Sequence, residues 1–449
     1  MLSKSKYTRG LKCTKSLWLY VYKKEKQKIS ESVQRVFNRG TSVGELARQY
    51  FPYGKMAVIE DYPGYESARR TAEFIEQGIE TIYEATFIFN DVLVAIDILH
   101  KKEGKWNLYE VKSTKEVKPE HIKDAAIQYY VVNGCGLLMN DFFIMHFNRN
   151  YIRRGGLDIN NLFISTSVKE HVIQLQNDIP NDLELFQNVL KNNEPCIEMG
   201  GQCTAPYKCD FYDYCFALLP KIKEPIVKLS SEPEVKQYQI KAFIDSIQYP
   251  ICFLDFETIM PGVPMFDESG PYQQIPFQYS LHIQNEINGE IIHHYYIAES
   301  NINIDPRIGL IPKLIEETKS AKTIFVYNIV FERTRIDEMI KNFPNYAREL
   351  ANIRERLVDL IIPFRKKFYR TETMMGSSSI KKVLPALCPE FSYDELEIGN
   401  GMTASNAFLD LYYCDDENTI ASTREKLLKY CHLDTLAMVK IFEVLQKYR

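Results

Sequence analysis

Between residues 251 and 257 the chain reads Ile251-Cys252-Phe253-Leu254-Asp255-Phe256-Glu257, an apolar run that ends in two carboxylates spaced two apart. An apolar run of this length bounded by turn residues is a buried strand. Side chains alternate along a strand, so Asp255 and Glu257 share a face. Two like charges on one buried face are costly unless a cation neutralises them. Carboxylate oxygens suit Mg2+ or Mn2+. A pair of such ions roughly 3.5–4 Å apart is an arrangement that activates water and stabilises the leaving oxygen in phosphodiester hydrolysis.

Two later segments fit the same chemistry. Tyr430 and Asp434 lie four apart in the helical run 424–445 and share a face of that helix. Asp434 can complete a carboxylate site there, with the Tyr430 hydroxyl orienting an attacking water. Asn328 follows the short apolar strand 323–327, and Glu332 comes four residues later at the start of a helix. Together the three segments resemble the motifs of the DnaQ-like DEDD exonucleases. The first matches D-x-E. The second is similar to N-x-x-F-D, with Glu332 where the family has Asp. The third matches Y-x-x-x-D, the tyrosine subtype. The histidine subtype places its His five residues before the Asp, where this chain has Lys429, so Tyr430 is preferred to His432. The resemblance covers about residues 249–449. It implies a ribonuclease-H-like fold, two Mg2+ or Mn2+ ions held by Asp255, Glu257, Glu332 and Asp434, and 3′→5′ removal of nucleotides. Asp359 is expected to begin a helix or lie near this site rather than bind metal.

The N-terminal half carries a different set. Cys203, Cys209 and Cys215 are spaced C-x5-C-x5-C, and Cys13 lies far upstream. Four thiolates suit Zn2+ or a [4Fe–4S] cluster alike. Asp97 ends one strand, and Glu110 and Lys112 share a face of the next, which resembles the D…E-x-K core of PD-(D/E)XK nucleases. Gln128, on the following helix, matches the Gln of the RecB-like motif. One Cys before this core and three after it is similar to the iron–sulfur RecB-like and CRISPR-adaptation nucleases. That resemblance implies a [4Fe–4S] cluster on Cys13, Cys203, Cys209 and Cys215, metal on Asp97 and Glu110, and assistance by Lys112. There are departures. The family's cysteine trio is C-x2-C-x5-C. Val132 stands where the Gln motif has Tyr. The upstream His is not evident, and Glu45 or Glu84 is the stand-in.

The fold class expected is α/β in two domains. Residues 1–218 form the PD-(D/E)XK restriction-endonuclease-like domain, 219–248 a Lys-, Glu-, Pro- and Ser-rich linker, and 249–449 the ribonuclease-H-like domain. Helices are expected over much of 1–50 and across 166–192, with a strand meander over 86–113 turning at Asn90–Asp91. The net charge of −4 does not advertise nucleic-acid binding, but nine Lys and Arg residues against Glu25 in the first 28 positions form a basic cluster that can meet phosphates. No window approaches the ~18 apolar residues of a membrane span. With no leader pattern, a cytoplasmic location without disulfides or membrane contact is expected. Cys135, Cys196, Cys252, Cys388, Cys414 and Cys431 are expected to be buried small hydrophobes. The RecB-like resemblance implies DNA as the partner, single-stranded or with single-stranded ends, with RNA as alternative. Two rival readings are a single exonuclease whose N-terminal module only grips DNA, and a zinc-stabilised nucleic-acid-binding adaptor.

Overall fold

A computed structural model describes the chain apart from residues 30, 59–62, 206, 220–231 and 394–395, and without the side chains of 31–39. Two compact units emerge, Met1–Lys223 and Glu224–Arg449. Residues 220–231 of the expected linker, 219–248, lie outside the described residues; its later part forms a short strand, Glu234–Val235, and the helix Gln237–Asp245. No described helix is long and apolar enough to cross a membrane.

The first unit opens with three helices, α1 (Lys4–Lys12), α2 (Thr14–Tyr22) and α3 (Glu31–Arg48). A mixed sheet follows, built on β1 (Thr81–Phe89), β2 (Val92–Lys102), β3 (Lys105–Lys112), β4 (Met139–Phe147) and β5 (Phe163–Ser167) in that spatial order. β1 and β2 pair antiparallel, as do β2 and β3. Asn90 and Asp91 both adopt positive φ, 47° and 58°, as a tight two-residue turn demands. β4 is parallel to β3, so the chain must cross over, and it does so through α4 (Pro119–Gly134). The β2–β3 pairing reaches Ile98 and Tyr109. Just beyond it, Asp97 accepts the Val111 N–H at 2.6 Å instead of continuing the ladder.

The single helix expected over 166–192 is two, Lys169–Gln174 and Ile179–Lys191. Ser167 is held in β5 by pairing with Phe143, and Pro180 lacks the N–H that a continuous helix needs there. Within residues 1–50, Cys13 adopts an extended conformation that separates α1 from α2.

The second unit is built on the strands β6 (Ile251–Ile259), β7 (Ile275–Gln284), β8 (Ile291–Ile297), β9 (Thr323–Val326) and β10 (Leu357–Asp359). Their order across the sheet is β8-β7-β6-β9-β10. β6, β7 and β8 form an antiparallel meander. β9 joins β6 in parallel, and β10 joins β9 in parallel. The helices that matter are α5 (Pro306–Thr318), α6 (Val330–Asn342), α7 (Ile380–Leu387), α8 (Gly401–Leu411) and α9 (Glu417–Gln446).

β6 is central and its two faces are both covered. Cys252, Leu254 and Phe256 enter a core with Leu310 and Leu314 of α5 and Ile336 of α6. Phe253 faces the other way, stacking on Phe325 at 5.2 Å and meeting Phe442 of α9 edge-on at 5.8 Å. Burying a ring such as Phe442 is worth about 1.5–3 kcal/mol, and α9 repeats such contacts at helical spacing through Leu427, Met438, Ile441 and Leu445. Asp255 and Glu257 share the Phe253 face, so the fold brings them under α9.

Candidate functional site

The Asp255 carboxylate is the hub of the second unit. Ligand atoms of Asp255, Glu257 and Cys431 all lie within 4.8 Å of one another. The charges of Asp434, Glu257 and Glu332 all act on Asp255. The structure thus gathers the acids of all three sequence motifs. Glu257, Glu332 and Asp434 are buried, at 4%, 2% and 9% exposure, and therefore cannot be screened by water.

Each acid arrives by its own local logic. Asp255 and Glu257 come from strand alternation on β6. Asn328 takes a left-handed conformation, φ 74°, that turns the chain out of β9 toward α6. Asn is among the few non-glycine residues that adopt it readily. The Asn328 N–H donates to Asp359 Oδ1 at 2.9 Å, and Ile361 N–H donates to the same oxygen at 3.1 Å. Asp359 ends β10 and braces this turn. Glu332 follows in the first turn of α6, where the helix dipole favours a negative charge. Asp434 and Tyr430 sit one turn apart on α9.

Electrostatics show how crowded the site is. Burial, then Asp434, Glu257 and Glu332, push Asp255 well above the usual carboxylate range. Burial and Asp434 do the same to Glu257, against the pull of Lys381. Glu332 is pushed up to about 8, mainly by burial, with Asp359 adding to it. Its Oε2 is buried and has no hydrogen-bond partner among the described residues. Asp434 rises to about 6 through burial, held down by Tyr393, Lys381 and Tyr430.

Several of these neighbours escaped the sequence reading. Tyr393 donates to Asp434 Oδ1 at 2.7 Å. The Lys381 ammonium on α7 lies over the rings of Tyr393 and Tyr430, at 5.3 and 5.4 Å. Cys431 is buried as expected, and its Sγ lies 3.8 Å from Asp255 Oδ2. Gly401 starts α8 beside Glu257, where a Cβ would stand 3.7 Å from Oε2. Lys381 and Tyr393 lie outside the three motifs and carry no spacing signal of their own.

In the first unit the structure brings Asp97, Glu110, Lys112 and Gln128 together. Glu110 Oε2 accepts from Gln128 at 2.8 Å, and Oε1 accepts from Lys112 at 2.9 Å. Two partners were not foreseen. Lys4 of α1 donates to Glu110 Oε1 at 2.7 Å, and Asp124 of α4 accepts from Lys112 at 2.6 Å. Burial works against the Glu110 charge, but Lys112 and Lys4 beside it win and hold it down at about 2. Asp97 rises to about 7 through burial and the Glu110 charge. Of the two stand-ins for the missing His, Glu84 lies in the field of Glu110 and pairs with Arg48 at 2.9 Å. Glu45 is exposed on α3.

Cys13, Cys209 and Cys203 all act on Cys215, so the four cysteines share one neighbourhood. Around them the ends of the unit are tied together by Arg9 on Asp210, through bonds of 2.8 and 2.9 Å, and by Lys12 on the Tyr207 carbonyl at 2.7 Å. The N-terminal basic cluster is largely consumed in this way. Lys15 and Lys23 pair with Glu194, Lys28 with Asp213 and Lys4 with Glu110. Cys252 and Cys388 are buried as expected, whereas Cys135 and Cys196 are exposed. Cys135 follows the end of α4, and Cys196 lies in the irregular stretch after Lys191, where no packed face covers either.

Residues 252–379 match the family described as Domain of unknown function (DUF2779). That stretch holds Asp255, Glu257, Asn328, Glu332 and Asp359 and stops short of Tyr393, Tyr430 and Asp434. Over 205 residues the chain is 30% identical to the uncharacterized protein MG366 homolog of Mycoplasma pneumoniae, covering 42% of this chain and 31% of that protein. Over 214 residues it is 28% identical to the uncharacterized protein MG366 of Mycoplasma genitalium, covering 43% of this chain and 32% of that protein. The chain spans about a third of the length of these curated relatives.

Proposed function

We propose that residues 249–449 form a ribonuclease-H-like, DEDD-type exonuclease that removes nucleotides from the 3′ end of DNA, single-stranded or with single-stranded ends. One observation carries this reading. Asp255, Glu257, Glu332 and Asp434 converge in a buried site, with Lys381 the cation acting on both Glu257 and Asp434. The donor set fits a hard divalent cation: oxygen ligands from separate elements, elevated carboxyl affinity for protons, and an unpartnered buried Glu332 Oε2. Asp255, Glu257, Glu332 and Asp434 would hold two Mg2+ or Mn2+ ions, which supply water activation and charge stabilisation at the leaving oxygen. Tyr430 orients the attacking water from one turn before Asp434. Tyr393 fixes the Asp434 carboxylate, and Lys381 keeps these tyrosines against the acids. The test is digestion of end-labelled single strands of DNA and RNA with Mn2+, comparing the wild type with Asp255→Ala. Loss of stepwise products in the variant supports the assignment.

The first unit supports a second reading, a PD-(D/E)XK-like module that grips DNA without cutting it. Lys4 and Lys112 already balance Glu110 and Asp124. This arrangement does not call for a cation on Glu110 unless Lys4 leaves, so no catalytic step is assigned to Asp97, Glu110 or Lys112. Cys13, Cys203, Cys209 and Cys215 would hold a [4Fe–4S] cluster that staples the ends of the unit. Their sulfurs are not gathered within 4.8 Å as the ligand atoms of the second unit's carboxylate cluster are, and a single zinc needs S···S separations of about 3.8 Å at its Zn–S length. A visible spectrum after anaerobic purification separates the two, since a zinc protein is colourless.

A further inference from the structure

A second cluster of metal-binding side chains lies on the α9-covered face of the same sheet, beside the carboxylates, since Ser280, which pairs with Asp255 in the strand register, contacts one of its histidines. His282 on β7 and His293 on β8 oppose each other directly in the strand register. His432 reaches them from α9. The three rings are in contact, with centroids 4.5, 5.0 and 4.3 Å apart. Their ligand nitrogens all lie within 4.8 Å of one another.

Hydrogen bonding alone serves this trio poorly. A neutral imidazole nitrogen carries either one proton or one lone pair. His293 Nε2 nonetheless faces two polar groups, the Ser280 hydroxyl at 2.9 Å and His432 Nδ1 at 3.2 Å. A shared cation resolves that competition by taking lone pairs from both rings. The 3.2 Å separation is also close to the edge of a tetrahedral site, about 3.3 Å for Zn–N bonds of ~2.0–2.1 Å. The surroundings are prepared as well. Thr435 Oγ1 lies 2.9 Å from His282 Nδ1 and 2.7 Å from Ser280 Oγ. Outer hydrogen-bond partners of this kind set the orientation of metal-binding histidines.

We propose that His282, His293 and His432 bind a zinc ion that pins α9 to the β7–β8 hairpin. Three imidazoles select zinc-class ions over Mg2+, whereas the carboxylates select the reverse. One helix would then carry ligands for two metals of different chemistry, with His432 between Tyr430 and Asp434. The zinc has a structural role: it fixes the helix that presents those two residues. The proposal holds whether or not the carboxylates cut nucleic acid.

The test is a Co2+ titration of the full-length chain, cleared of transition metals and kept in excess Mg2+ so that the carboxylates are occupied. Wild type and Cys203→Ser should both take up about one equivalent with visible d–d bands of a low-coordinate imidazole site and no thiolate charge-transfer band from it. His293→Gln should lose those bands. Zn2+ should raise the melting temperature of wild type and of Cys203→Ser, and that of His293→Gln by less than wild type, since only its cysteines remain. Should His293→Gln fail to fold, the wild-type and Cys203→Ser titrations decide alone. Absence of imidazole-type bands in the wild type, or the same Zn2+ response in His293→Gln, overturns the proposal.

Discussion

The Tyr393 hydroxyl donates a 2.7 Å hydrogen bond to Oδ1 of the buried Asp434. That bond favours the ionised carboxylate and helps hold Asp434 at about 6 against the burial that raises it. Tyr393→Phe removes the donor and leaves the ring. Asp434 should then ionise only at higher pH. The rising limb of nuclease activity should shift to higher pH, with loss at pH 7 on the order of tenfold, the equivalent of about 1.4 kcal/mol. Rate measured against pH in Mn2+ checks this; an unshifted profile places Asp434 outside the reaction.

Stability of the metal-free protein should fall as pH rises. Asp255 and Glu257 stand well above the carboxylate range, Asp434 at about 6 and Glu332 at about 8. In the unfolded chain these groups release protons near pH 4. Between that pH and the folded values the native state binds more protons, so each unit of pH disfavours it. The melting temperature in a chelator should therefore drop from about pH 5 to pH 8. Mg2+ or Mn2+ should raise it more at pH 8 than at pH 5. Calorimetry with and without the ions gives both numbers.

Glu332→Gln separates charge from shape. It removes one buried like charge whose Oε2 has no partner among the described residues. The metal-free variant should be at least as stable as the wild type, yet bind Mn2+ more weakly and lose activity. Thermal melts and Mn2+ titration read the two effects independently.

Much of this site was legible in the sequence because its acids sit in regular elements. The D-x-E spacing is a strand period, and the Tyr430–Asp434 spacing is a helical turn. Asn328 was legible as the residue that follows a strand in the second motif, whereas its left-handed backbone, φ 74°, emerged only in the fold. Lys381, Tyr393 and the three histidines were not legible. They come from separate elements, and only the packed sheet with α9 across it brings them together. Lys4 was hidden for the same reason: 106 residues separate it from Glu110.

In the first unit, Lys112→Ala should be strongly destabilising, by about 3–5 kcal/mol. It leaves Asp124 and the buried Glu110, both paired with Lys112, without that partner. Lys4→Ala should cost less, because Lys112 and Gln128 remain on Glu110. Neither variant should alter the Mn2+-dependent products of the second unit at a temperature where both are folded. Denaturant unfolding and end-labelled digests check this. Loss of one product class in the folded Lys112→Ala protein would assign cleavage to the first unit as well.

The most direct measurement follows a 5′-labelled single strand of DNA with Mn2+, using wild type and Asp255→Ala side by side. Wild type should give a ladder shortening stepwise from the 3′ end, and Asp255→Ala should leave the strand intact. A ladder of equal intensity from both proteins would contradict the assignment of Asp255, Glu257, Glu332 and Asp434 as the hydrolytic centre.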